Sequence, residues 1–176
     1  MTWIVLLRAV NLGARNKVPM AELRRLLEAA GYGDVRTHLA SGNVLFDVPR
    51  GRAAVAAELE RLVADNFGVD TTAVMRTPKD LAATVAAHPF GKDTSESYVA
   101  FLAARPKQAV AAAFETAHGS PNRTVLSDAD VYLRLSNGVH GAHLSVARLE
   151  SLLGVAATLR NWRTVVALAE LETRAR

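Results

Sequence analysis

The chain opens on a continuous apolar run, Trp3 to Leu7, which suits a central strand buried on both faces. A polar stretch follows, Asn11-Leu12-Gly13-Ala14-Arg15-Asn16-Lys17, and then the pattern changes period. Met20, Leu23, Leu26, Leu27 and Ala30 recur at helical spacing. Pro19 fits the first turn of that helix, where its missing N–H is no loss, and Gly31 is placed to end it as a left-handed cap. Short strands are predicted near Val35 to Leu39 and Val44 to Phe46. They are joined through Ser41-Gly42-Asn43, whose residues supply the positive φ angles of a tight hairpin. A second helix runs from about Arg52 to Phe67 on the stripe Val55, Leu59, Leu62, Val63 and Phe67. A fourth strand covers Thr71 to Met75.

The remainder nearly repeats this order. Thr77-Pro78-Lys79-Asp80 has the form of a capping box and opens a linking helix to about Ala87, which His88-Pro89-Phe90-Gly91 breaks. A polar stretch to Ser97 reads as a boundary or a mobile loop. Then come a strand (Tyr98 to Ala103), a helix (Pro106 to His118) and strands at Thr124 to Leu126 and Val131 to Leu135, around Asp128-Ala129-Asp130. A helix from Leu144 to Leu153, an extended piece near Ala157 to Leu159 and a last helix from Trp162 complete the chain. The expected class is α+β: two ferredoxin-like βαββαβ-type half-domains in tandem with an extra C-terminal helix. The expected division is a first half over 1–77, a linking helix and loop over 78–96, and a second half over 97–176. The halves share an order of elements rather than residue identity.

Composition narrows the functional classes. Half of the 176 residues are hydrophobic and 22% are charged, which is ordinary for a folded domain. With no cysteine, disulfides, thiolate metal sites and a cysteine nucleophile are excluded. No apolar run approaches the roughly 20 residues of a membrane span, and the start lacks a basic leader and a cleavage site. A cytoplasmic location without membrane partners is expected, which leaves the sequon Asn122-Arg123-Thr124 without a role. The net charge of +4 is spread along the chain with no basic run or tail, so it is weak evidence for nucleic acid.

Three polar segments are candidates for chemistry. Arg8, Asn11, Gly13, Arg15, Asn16 and Lys17 crowd before a predicted helix N-terminus, where free N–H groups and the helix dipole favour an anion. The segment lacks the second glycine and the hydroxyl residue of a P-loop, so an ordinary nucleotide triphosphatase is rejected. Ser41-Gly42-Asn43 lacks the nucleophile-elbow pattern and reads first as a turn. In Arg160-Asn161-Trp162-Arg163-Thr164, Asn161 can cap the last helix while Trp162 packs beneath it. The alternative is an aromatic wall beside two guanidinium groups, suited to a base or a phosphate. His140 and His143 share a spacing but lack a third ligand, so no metal is expected, and no cofactor either. His38, His88 and His118 read as isolated, and Asp128 and Asp130 as solvated turn residues.

Taken together, Leu7-Arg8-Ala9-Val10-Asn11-Leu12-Gly13, Lys17-Val18-Pro19-Met20, Ser41-Gly42-Asn43-Val44 and Arg160-Asn161-Trp162-Arg163-Thr164-Val165 resemble the bacterial domain of unknown function 1697 family, from Trp3 to about Leu171. The resemblance implies a two-part α+β fold with ferredoxin-like halves and implies no activity. The residues that match its motifs are Arg8, Asn11, Gly13, Lys17, Pro19, Ser41, Gly42, Asn43, Arg160, Asn161, Trp162 and Thr164. The chain departs from the pattern at Ala9 and Ala14, where glycine is typical, and at Ala142-His143-Leu144, where Ser-Lys-Leu is frequent.

The leading expectation is a binding module for a small anionic or nucleotide-like ligand. Its site would draw on Arg8, Asn11, Lys17, Ser41, Asn43, Arg160, Asn161 and Trp162, in a polar cleft between the halves. An enzyme, a transferase or hydrolase using that cleft, is the alternative, although the sequence offers no evident general base there. Nucleic acid on an exposed sheet is the third reading. Phe46 is the only aromatic in the predicted first hairpin, which counts against it.

Overall fold

The computed structural model describes residues 1–119, 123–136, 138 and 144–173. Asn122, Ala142, His140 and His143 lie outside them. The chain divides into two units, Met1–Asp80 and Leu81–Arg176.

The first unit contains β1 (Thr2–Leu7), α1 (Met20–Ala29), β2 (Gly33–His38), β3 (Asn43–Asp47), α2 (Arg52–Phe67) and β4 (Ala73–Arg76). Its sheet runs β2-β3-β1-β4 with every neighbour antiparallel. One face presents Trp3, Val5, Leu7, Phe46 and Met75 to Leu23 and Leu27 of α1 and to Val55, Leu59 and Val63 of α2. The opposite face, with Ile4, Leu6, Leu45 and Val74, is equally buried. Burial of both faces accounts for the unbroken apolar run of β1. Gly31 and Gly68 take φ of 84° and 64° just past the ends of α1 and α2, as the helix stops required. Pro19 stands one position earlier than expected, as the extended N-cap of α1.

α3 (Pro78–Ala86) begins in the first unit and continues into the second. Its start is a reciprocal box: Thr77 N–H donates to Asp80 Oδ2 (2.8 Å) and Asp80 N–H to Thr77 Oγ1 (3.1 Å). Burial alone would raise the Asp80 pKa, but these bonds and the nearby Arg52 and Arg76 hold it below the usual carboxylate range.

The second unit adds β5 (Ser97–Leu102), α4 (Gln108–His118), β6 (Thr124–Ser127), β7 (Asp130–Arg134), α5 (Val146–Leu153), β8 (Ala157–Asn161) and α6 (Trp162–Thr173). Its sheet, β6-β7-β5-β8, is again antiparallel throughout. Ala100, Leu102, Val131 and Leu133 pack with Phe114 of α4 and Leu149 and Leu153 of α5. The other face carries Val99, Phe101 and Tyr132, all buried, and α6 contacts β5 and β8. α3 reaches this face too, since Tyr132 Oη donates to Thr84 O at 2.9 Å. Burial first, then the Asp130 charge, pushes the Tyr132 pKa up, which keeps that donor protonated.

Asp130 departs from the sequence expectation. It is only 8% exposed and accepts Thr84 Oγ1 at 2.5 Å, because the alternation of β7 turns it to the same face as Tyr132. Asp128 is the turn residue proper, exposed at φ 58° and paired with Arg105.

The two units also share more residue chemistry than element order suggested. Leu59-Glu60-Arg61-Leu62 in α2 corresponds to Leu149-Glu150-Ser151-Leu152 in α5. Glu60 Oε1 accepts Ala73 N–H and Glu150 Oε1 accepts Ala157 N–H, each at 2.8 Å, so a helix carboxylate anchors the first residue of the outer strand in both units. Each strand then carries a buried arginine, Arg76 or Arg160, whose Nη1 donates to the preceding carbonyl at 2.9 Å. A capping residue follows, Thr77 or Asn161. The junction from strand to helix is thus built the same way twice.

Replacing Glu150 by alanine leaves the Ala157 N–H without its acceptor. A loss of about 1–3 kcal/mol is expected, the usual cost of a partly buried orphan donor to a charged partner. Glu150→Gln, which keeps an acceptor oxygen, recovers most of it. Urea unfolding measures both, and an unchanged midpoint for Glu150→Ala would count against the anchor.

Candidate functional site

Most polar groups of the Arg8–Lys17 segment are occupied in holding the segment itself. Asn11 sits at φ 54° and its side chain clamps three backbone groups. Nδ2 donates to Val18 O (2.9 Å) and Ala40 O (2.7 Å), while Oδ1 accepts Val18 N–H (2.9 Å). Asn16 Nδ2 donates to Ala9 O at 2.8 Å, and Lys17 Nζ folds back onto Gly13 O at 2.6 Å. The Arg8 backbone is bound on both sides, its N–H by Thr72 O and its carbonyl by Thr71 Oγ1. Ala9 takes φ 56°, a conformation that favours glycine.

The 39–42 connection between β2 and β3 lies against this loop. Gly42 O accepts Leu7 N–H at 2.8 Å. A Cβ at Gly42 would lie 2.5 Å from Val10 Cγ2 and 2.9 Å from Leu7 Cβ, and its φ is 81°. Only glycine fits there. The positive φ angles of this connection fall on Leu39 and Gly42, not on Ser41 or Asn43 as expected. Asn43 is fully buried and donates to His38 O (2.8 Å) and Ser41 Oγ (2.9 Å), so it closes the turn. The two segments that carry Arg8, Asn11, Lys17, Ser41 and Asn43 therefore lie side by side within the first unit, with Asn11 and Asn43 holding backbone groups in place. Asn11, Lys17, Pro19, Met20, Thr37 and Ala40 border a groove of about 410 Å³ that remains open beside them.

The third segment belongs to the second unit. Arg160 alternates inward on β8 and is 7% exposed, with Nη1 on Thr158 Oγ1 (2.7 Å) and Leu159 O. Burial lowers its pKa to about 10, so it remains cationic at neutral pH. Asn161 Oδ1 accepts Thr164 N–H at 2.8 Å and caps α6 as expected. Trp162 is 8% exposed and stands beside the His88 ring, with centroids 4.1 Å apart.

Around Asn161, Trp162 and Arg163 opens a groove of about 740 Å³, completed by Thr94, Ser95, Ser97, Tyr98 and Glu170. Among the described residues the Arg163 guanidinium has no hydrogen-bond or ion-pair partner, and it is exposed. Sequence reasoning missed two residues here. His88 Nε2 lies 3.0 Å from Ser97 Oγ, and its ring also meets Phe90 edge-on at 5.6 Å. Burial lowers the His88 pKa below 6.5, opposed by an interaction with the Gly91 backbone. Ser97 is 2% exposed at the first position of β5. The two are separated along the chain by a helix stop and a polar loop, and only the folded chain brings them into contact. Among the described residues no cluster of three metal-binding side chains occurs, and no described helix is long and apolar enough to cross a membrane.

The family described as "Protein of unknown function (DUF1697)" matches residues 1–132. The chain belongs to that family. Its matched range takes in the Arg8–Lys17 and Ser41–Asn43 segments together with Ser97 and His88, and stops before Arg160. Among solved structures the chain is similar to "conserved bacterial protein SP0830 from Streptococcus pneumoniae", at 21% identity and a TM-score of 0.71, over 96% of this chain and 97% of that one. At this identity the likeness speaks for the fold alone. No curated protein matches.

The His88 shift has a definite sign for stability. Above pH about 6.5 the ring is neutral whether folded or unfolded; as pH falls, the unfolded chain gains a proton that the folded chain resists. Acidification through this range therefore destabilises the protein. The expected outcome is a smaller drop in Tm between pH 7.5 and 5.5 for His88→Asn than for the unaltered chain. Equal drops would show that His88 carries no shift.

Proposed function

We propose that the protein binds a small anionic or nucleotide-like ligand, and that the ligand sits in the groove at the β8–α6 junction. The observation that carries this reading is Arg163, an exposed guanidinium in the first turn of α6 with no partner among the described residues, on the rim of a groove lined by Trp162 and Tyr98. A guanidinium at the positive end of a helix dipole suits a phosphate or carboxylate, and the aromatic walls suit a flat ring. Glu170 on the same rim makes a polyanion a poor fit and favours a ligand with one charged end. Asn161 and Trp162 keep their expected place in this reading. Arg160 acts beneath them as a structural cation.

Lys17 favours a second location, the first unit's groove, because α1 opens at Pro19 without a side-chain cap. Nucleic acid on an open sheet has less support, since both faces of each sheet carry buried residues. We also read each unit as a ferredoxin-like half. The support is the βαββαβ order shared by both units and the matching strand orders β2-β3-β1-β4 and β6-β7-β5-β8.

Calorimetric titration with phenyl phosphate tests the reading. Arg163→Ala is expected to weaken binding about tenfold or more, in keeping with loss of a charge-assisted hydrogen bond, and Lys17→Ala to leave it unchanged. The reverse pattern would move the site to the first unit, and no binding at millimolar ligand would refute the proposal.

A further inference from the structure

We propose that Ser97 and His88 form a nucleophile and base pair that hydrolyses small carboxylic esters bearing an anionic group, a reading that rests on the ligand groove proposed above.

The geometry meets the first requirement of such a pair. His88 Nε2 is 3.0 Å from Ser97 Oγ, within reach of direct proton transfer, and Ser97 forms part of the groove wall. The second requirement is that the base keep its orientation. The His88 ring contacts Trp162, at 4.1 Å, and Phe90, at 5.6 Å and near perpendicular, and both contacts restrict its freedom to turn away from Ser97. The third is that the base be unprotonated at neutral pH, which follows from burial of the ring. The Gly91 backbone interaction favours the protonated ring and so steadies the imidazolium once it forms.

Ser97 is fixed as well. It begins β5, its N–H donates to Thr94 O at 3.0 Å, and it pairs with Arg134 across the β5–β7 ladder. On the other side of β5 the register sets Tyr98 opposite Asn161, so Ser97 lies beside the point where β8 becomes α6. The start of α6 therefore borders the same groove as the hydroxyl, and its dipole favours negative charge developing there. Arg163 and the aromatic walls sort the substrate: an anionic end towards the guanidinium, and the ester near Ser97.

In the neutral tautomer with its proton on Nδ1, His88 Nε2 takes the Ser97 hydroxyl proton as Oγ bonds to the ester carbon. The tetrahedral oxyanion collapses, the bond from carbon to the alcohol oxygen breaks, and Nε2 returns the proton to the departing alcohol. Water then repeats the sequence, giving Nε2 a proton and the acyl carbon a hydroxide. The free acid leaves as the proton goes back to Oγ. No oxidant, reductant or other co-reactant is needed.

The test is active-site labelling of the full chain with a fluorophosphonate, whose phosphorus accepts Oγ as fluoride leaves with the proton. Intact mass and peptide mapping locate the adduct. One adduct is expected, at Ser97, absent in Ser97→Ala and slowed about 10²-fold or more in His88→Asn, the usual loss on removing a general base. A purely structural Ser–His contact gives no adduct, or one indifferent to His88, and either result overturns the proposal provided the variants melt as the unaltered chain does. If Ser97→Ala fails to fold, His88→Asn alone decides through the labelling rate. Excess phenyl phosphate separates this idea from the one beneath it. Labelling that it slows supports both. Labelling that it does not slow supports the pair and overturns the shared groove. No adduct while phenyl phosphate still binds overturns the pair and leaves the binding reading standing.

Discussion

The pairing of β5 with β8 sets the geometry on which the site depends. With Tyr98 opposite Asn161 and Val99 opposite Arg160, the central strand of the second sheet begins where the outer strand ends and α6 starts. A slip of β8 by one residue would move Arg160 to the opposite face, where Ala100 and Leu102 pack against α4 and α5, because side chains alternate faces along a strand. Several contacts hold the register. Glu150 fixes the first residue of β8, Arg160 is locked into the buried face, and Asn161 stops the strand by capping the helix. The groove is what remains open above this junction.

The same framework is built twice and used differently. In the first unit the cap is followed by Pro78, and Asp80 answers Thr77 with a carboxylate that neighbours Arg52 and Arg76. In the second unit the corresponding places hold Trp162 and Thr164, and Arg163 is left facing solvent. Both junctions leave a cation exposed two places after the cap, Lys79 in the first unit and Arg163 in the second; what differs is the residue that follows, Asp80 answering its cap with a carboxylate where Thr164 offers only its N–H. The difference rests on a few side chains rather than on the fold.

Much of the architecture could be read from the sequence, because it depends on local periodicity. The apolar run of β1, the stripes of α1 and α2, the glycines that stop helices and the Thr77–Asp80 box are all local signals. The likeness of the two halves was legible only as an order of elements; the shared Leu-Glu-x-Leu and the buried arginine near the end of each outer strand stand out only once Glu60 and Glu150 are found on equivalent N–H groups. The roles of the polar residues were harder. Asn11 has the composition of a ligand contact and is instead a clamp on three backbone groups, and Asn43 closes a turn from full burial. Arg160 looked like a cation for a ligand, yet strand alternation sends it inward, as it does Asp130. The contact between His88 and Ser97 had no signal at all in the sequence, since it is tertiary and crosses a helix stop.

The measurement that bears most directly on this account is an amide chemical-shift titration of the isotopically labelled chain with phenyl phosphate. The account predicts saturable shifts concentrated at Ser97, Tyr98, Asn161, Trp162 and Arg163, with the segment from Asn11 to Met20 unmoved. Shifts confined to that segment, or none at any ligand concentration, would contradict it.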